Sequence, residues 1–178
     1  TVTEWNNFDG LADRIRAAWI GTLTTRKDYK LPAVAGDFEA SLELTGVGVA
    51  ATGKTLGSAT IAGGVASTNT DLSWLNWDIA GQAGAVKIGG DVDSLNLHAG
   101  KMTSFDAAVV AEANLAVDDV LGSVKAVCWT AGALTADTLG TLSITGRAAS
   151  AYYHLDAVAG DFAADLAVNG LNATKAPL

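Results

Sequence analysis

Along much of the chain, apolar and polar residues alternate over four or five positions, and the run then stops at a glycine. Leu42-Glu43-Leu44-Thr45-Gly46, Ala59-Thr60-Ile61-Ala62-Gly63 and Leu142-Ser143-Ile144-Thr145-Gly146 all follow this rule. A period of two puts every second side chain on one face of a β-strand, and the terminal glycine supplies a corner. Several runs open with an apolar residue, Gly, Ser or Thr, and a second apolar residue: Ile20-Gly21-Thr22-Leu23, Leu56-Gly57-Ser58-Ala59, Leu121-Gly122-Ser123-Val124 and Leu139-Gly140-Thr141-Leu142. Val92-Asp93-Ser94-Leu95 reads as a relaxed copy, so the openings fall at 20, 56, 92, 121 and 139, with multiples of 18 prevailing among the intervals. Between them, Ile79, Ile88 and Leu97 stand nine apart, which is one strand plus one corner. Two or three such sides make a coil of about 18 residues, whose strands pair in parallel with their equivalents one coil above and below. The expected fold is therefore all-β: a parallel β-solenoid (β-helix) with about 18-residue coils, roughly nine or ten of them, stacked ~4.8 Å apart into a rod about 45 Å long.

A longer repeat encloses the short one. Residues 29–46, YKLPAVAGDFEASLELTG, return 124 positions later as 153–170, YHLDAVAGDFAADLAVNG, with 11 of 18 positions identical. Trp5 and Trp129 share that spacing, whereas Ile20 and Leu139 are 119 apart; a five-residue insertion near Asn6–Arg14 and a compensating gap near Arg26 reconcile the two. The chain reads as one domain, residues 1–178, made of a long repeat (1–124) and a partial second copy (125–178), which suggests a subunit or fragment of a repetitive protein. A helical pattern at Phe8–Trp19, with Leu11, Ile15 and Trp19 four apart, competes locally. The alignment of Ile15–Ile20 with Leu134–Leu139 favours strand there, leaving a helix only as a cap on an open end.

Composition narrows the partners. Hydrophobic residues make up 49% of the chain but aromatics only 7% and charged residues 17%, so the core must come from small and aliphatic side chains on many strands. A net charge of −8 disfavours nucleic acid. The single cysteine, Cys128, aligns with Glu4 in the long repeat and is expected to be a partly exposed, unpaired thiol. No basic, apolar leader opens the chain, so the expectation is a processed form or a targeting segment outside these residues. No apolar run approaches the ~20 residues of a membrane span.

The motifs AGDFEASLELTG, LGSATIAGG, LTADTLGTLSITG and AVAGDFAADL resemble repeats of very large secreted and surface proteins of planctomycete-type bacteria, whose chains carry many GDF-x-AD-L and LGSL-x-V-x-GG segments. The resemblance implies an extracellular or cell-envelope location and a β-solenoid body. It brings no catalytic residues, and members of that family are usually much longer.

Candidate chemistry is sparse. Asp37 and Asp161 recur in the Ala-Gly-Asp-Phe corner, where an Asp normally accepts backbone N–H groups while the following Phe turns inward. Asp91 with Asp93, and Asp118 with Asp119, are the densest acidic spots, but neither carries the Gly-Gly-x-Gly-x-Asp repeat of calcium-stacked coils. His98 and His154 stand without His or Cys partners at metal-ligand spacing. GVGVAATGKT lacks the strict phosphate-loop spacing, and Asn172-Ala173-Thr174 matches the glycosylation acceptor pattern, a weak signal. In LSWLNWDI, alternation puts Trp74, Asn76 and Asp78 on one face and Leu75, Trp77 and Ile79 on the other. Trp77 is thus a core residue, and Trp74, Asn76 and Asp78 form a candidate carbohydrate or subunit contact.

No catalytic residues, cofactor or metal site follow from these positions. The expected function is a non-catalytic structural subunit of an extracellular fibre, surface layer or matrix, partnered by copies of itself. The alternatives are a polysaccharide-binding surface module and, further off, a β-helix carbohydrate-active enzyme, which the few scattered arginines disfavour.

Overall fold

The chain's alternating runs become a stack of parallel strands. The computed structural model describes residues 2–3, 5, 13–28, 35–65, 74–150 and 156–170. Among them are eleven strands and no helix: β1 (Asp13–Ala17), β2 (Ile20–Thr24), β3 (Ala40–Leu44), β4 (Leu56–Ile61), β5 (Leu75–Ile88), β6 (Leu95–Ala107), β7 (Val109–Val110), β8 (Ala113–Ala126), β9 (Cys128–Trp129), β10 (Gly132–Ile144) and β11 (Asp165–Val168). Every pairing between these strands is parallel.

The pairings fall into three ladders that the chain visits in turn. The first joins β1, β3, the leading halves of β5, β6, β8 and β10, and finally β11. The second joins β2, β4 and the trailing halves of β5, β6, β8 and β10. The third is a line of single bridges and one short strand pair, Val65–Val92–Val110–Trp129–Phe162, in which β7 pairs with β9 at Val110 and Trp129, with Trp5 bridged to Phe38 and the Phe38 amide donating to the Gly64 carbonyl at 3.0 Å. The long strands pass from the first ladder to the second through a bulge, marked by register shifts between Ile79 and Gln82 and between Ala99 and Met102. Gly81, with φ +103°, makes that corner in a conformation that a side chain would strain.

The core lies on the inward faces. Leu42, Trp77, Leu97, Leu115 and Leu134 stand in register in the first ladder, and Leu56, Ala83, Met102, Leu121 and Leu139 in the second; all are buried. Stacking like on like lets each side chain pack on the one below at strand spacing, so aliphatic residues suffice. Where aromatics enter, they meet edge-to-face, except for the tilted Phe105–Trp129 pair. Phe38 meets Trp5 at 6.1 Å and Trp77 at 5.8 Å between ring centroids, and Trp129 meets Phe105 at 6.0 Å and Phe162 at 5.9 Å. The buried indoles keep their hydrogen bonds, with Trp77 Nε1 donating to the Ala40 carbonyl at 3.1 Å and Trp129 Nε1 to the Ala131 carbonyl at 2.9 Å.

The apolar-Gly-Ser/Thr motif has a steric cause. Gly21, Gly57, Gly84, Gly122 and Gly140 occupy one position of the second ladder, between register pairs such as Leu56↔Ala83 and Ser58↔Ala85. A Cβ on Gly57 would strike the Gly21 carbonyl oxygen, one on Gly84 that of Gly57, one on Gly122 that of Thr103, and one on Gly140 that of Gly122. The register also corrects the sequence reading. The members between Leu56 and Leu121 are Ala83 and Met102, not Val92, which instead bridges Val65 and Val110 in the third ladder. Ala83-Gly84-Ala85 and Met102-Thr103-Ser104 have lost the recognisable letters while keeping the position.

The coil spacing differs from expectation too. Successive levels are 18 residues apart from Leu95 to Ala113 and 19 from Ala113 to Gly132, but 35 apart from Leu42 to Trp77 and 32 from Leu134 to Leu166. The third ladder accordingly has seven positions, Trp5 to Phe162, not nine or ten. The extra residues leave the ladders as excursions, one turning at Gly46 and Gly53 and another held by the antiparallel bridge Arg147↔Val158. The Trp5–Phe38 and Trp129–Phe162 pairs, 124 positions apart, are bridged alike, and the five-residue difference appears as Ile15↔Leu42 against Leu134↔Leu166. Asp13–Ala17 of the helical-looking stretch is strand; Phe8–Ala12 lies outside the described residues.

Candidate functional site

The outward face of the first ladder carries a run of polar side chains in register. At the start of β5, Leu75, Trp77 and Ile79 are buried while Asn76 and Asp78 face solvent and Trp74 is half-buried. Parallel register then sets like over like. Asn76 pairs with Asn96 and Asn96 with Asn114, while Asp78 pairs with His98.

These side chains bond to one another along the stack. Asn96 Nδ2 donates to Asn76 Oδ1 at 3.0 Å, and Asn114 Nδ2 donates to Asn96 Oδ1 at 2.9 Å. Asn76 Nδ2 donates to the Trp74 carbonyl at 2.9 Å, and the Asn76 amide donates to Ser41 Oγ at 3.0 Å. Next to this asparagine ladder, the His98 ring lies between two carboxylates, Nδ1 3.1 Å from Asp78 and Nε2 3.1 Å from Asp118. The Asp78 and Asp118 hydrogen bonds raise the imidazole pKa above its ordinary value, against a smaller opposing effect of burial. A doubly bonded imidazolium holds three levels together and keeps no ring nitrogen for a ligand.

The sequence reading weighed His98 only against His or Cys partners; the partners it has are carboxylates. Asp78 stands in register with His98, 20 residues on, as Asn76 does with Asn96; Asp118 lies two positions beyond Ala116, the register partner of His98, and meets the ring diagonally. Ion pairs extend the pattern, with Glu43 facing Arg16 at 3.0 Å and Arg14 at 3.5 Å and Lys101 facing Asp119 at 2.8 Å. Being exposed, each contributes at most about 1 kcal/mol.

The remaining candidates separate. Asp37 accepts the Gly64 amide at 2.6 Å, and Phe38 beside it is fully buried. Asp161 lies near the far end of the third ladder from Asp37, so the two do not meet. Asp91 and Asp93 flank buried Val92 and share a groove with Lys27, Asp37, Gly63, Gly64 and Gly90. Burial, and then the Asp91 charge, raise the Asp93 pKa. Among the described residues, no three His, Cys, Asp or Glu side chains are grouped to hold a metal ion, and no helix is long and apolar enough to cross a membrane. His154 and Asn172-Ala173-Thr174 lie outside the described residues.

Cys128 departs from expectation. It is buried at 5% exposure rather than partly exposed, because β9 sits between levels, paired to Val109 on one side and followed by the Trp129 amide bonded to the Asp161 carbonyl on the other. Burial, then the Asp161 and Asp91 charges, push its thiol pKa up, with Arg147 opposing. A protonated, covered thiol is inert.

Compared with family models, curated proteins and solved structures, the chain matches none.

Proposed function

We propose that the chain is a three-sided parallel β-solenoid, built on an approximately 18-residue coil with looped-out insertions, and that it serves as a non-catalytic structural unit that self-associates. One observation carries this reading: a polar outward face of the first ladder spends its side chains on itself. The amides of Asn76, Asn96 and Asn114 and the triple Asp78–His98–Asp118 bond from level to level. Catalysis needs groups held ready for a substrate, whereas these are occupied in stitching the stack. The three ladders, visited in fixed order, support the solenoid; closing the coil between them is part of the proposal. The resemblance of the GDF and LGS segments to planctomycete-type surface repeats supports a secreted or cell-surface setting.

Negative-stain images of the purified chain over a concentration series test the reading. Filaments, sheets or growing oligomers are expected; dispersed single particles at every concentration would overturn self-association. A second reading, a module that grips extracellular polysaccharide, is favoured by one feature, half-buried Trp74 beside the exposed Asn76 amide. Binding to a glycan array that is lost in Trp74→Ala would select it.

A further inference from the structure

The first ladder ends on two strands of opposite character. Among the described residues β1 is paired only with β3, and β11 only with β10. On β1 the side chains of Arg14 and Arg16 are 66% and 71% exposed. On β11, Asp165 is exposed and Leu166 is 48% exposed, the only large aliphatic side chain of that column among the described residues left so open. Ile15 and Leu166 belong to one column, since Ile15 pairs with Leu42 and register runs on through Leu134 to Leu166. One edge carries Asp13 and two exposed arginines, both also paired to Glu43, around a half-buried Ile; the other carries exposed Asp165 beside an exposed Leu, and the strands run the same way.

Resting on the self-association reading, we propose that the β11 edge of one copy takes the β1 edge of a second copy as the next parallel strand of the ladder, with Leu166 opposite Ile15. That register sets Asp165 opposite Arg14 and Val168 opposite Ala17. It also brings Trp19, 58% exposed, to the corner occupied by Gly170. Edge amides and carbonyls gain partners, the open Leu166 is covered, and opposite charges meet. The contact is heterologous, so it repeats without closing.

Charge reversal tests the register. Sedimentation velocity at low salt is run on the chain, on Arg14→Glu, on Asp165→Arg, and on an equimolar mixture of the two variants. Each variant alone sets like charges face to face and is expected to associate roughly tenfold more weakly. In the mixture every junction between unlike variants joins opposite charges, so alternating assembly returns association to within about twofold of the unaltered chain. Trp19 emission shifts to the blue as the unaltered chain and the mixture assemble; Trp19→Phe removes the larger part of that shift. A mixture no better than either variant, or variants that associate like the unaltered chain, overturns this register while leaving self-association standing. An unaltered chain that stays monomeric throughout overturns both.

Discussion

Replacing Gly84 with alanine should destabilise the fold, although the same change in an unconstrained chain would stabilise it. Gly84 is buried, and its φ is not in the left-handed region, so the backbone itself would accept a side chain. Restricting the unfolded chain would then favour the folded state by about 0.4–1 kcal/mol. Sterics decide otherwise. The new Cβ would overlap the Gly57 carbonyl oxygen, stand 2.8 Å from the Gly57 carbonyl carbon and 3.4 Å from the Leu56 oxygen. All three are backbone atoms of a paired strand, so relief requires the levels to part. Overpacking of this kind costs about 1–3 kcal/mol, more where backbone must move. Taking ~2 kcal/mol net, the melting temperature of a chain this size falls by about 4–8 °C. Thr103, which already carries a side chain in the same column, supplies the control: Thr103→Ala should change stability by no more than about 0.5 kcal/mol. Thermal and urea melts followed by circular dichroism read both. A Gly84→Ala protein as stable as the parent, or more so, would refute the argument that close approach of successive levels fixes these glycines.

Three further outcomes are expected. Trp129→Ala, which empties a fully buried site against Phe105 and Phe162, should cost about 3–5 kcal/mol in urea melts, with a similar m-value if the transition stays cooperative. The raised pKa of His98 means that its stabilising charge is fully present below its unfolded value of 6.5 and is lost as pH rises through the folded value. Stability of the parent should therefore decline over that window relative to His98→Gln, whose curve lacks the step. Cys128 should react with a thiol reagent far more slowly in the native protein than in denaturant, measured by mass; equal rates would contradict its burial.

The sequence made the strands legible because their information is local. Alternation with a terminal glycine marks Leu42–Gly46, Ala59–Gly63 and Leu142–Gly146, and it turns Trp77 inward and Asn76 and Asp78 outward, as the structure has them. The 124-residue repeat likewise moved Ile15 from helix to strand. The number of strand levels was not legible, because length alone cannot separate residues in a ladder from residues in an excursion such as 45–54. Val92 was misassigned for a related reason: its letters fit the motif better than Met102-Thr103-Ser104 does, but register, not lettering, defines the column. The Asp78–His98–Asp118 triple is non-local: register joins Asp78 to His98, and Asp118 reaches the ring diagonally from the next strand.

X-ray diffraction from aligned assemblies of the purified chain tests the central claim most directly. If the unit is a parallel stack that grows along its own axis, strands lie across the fibre and successive levels repeat along it. A sharp reflection near 4.8 Å then falls on the meridian. The same reflection centred on the equator would mean that the copies meet side by side, and its absence from well-ordered assemblies would contradict the stacked-ladder account itself.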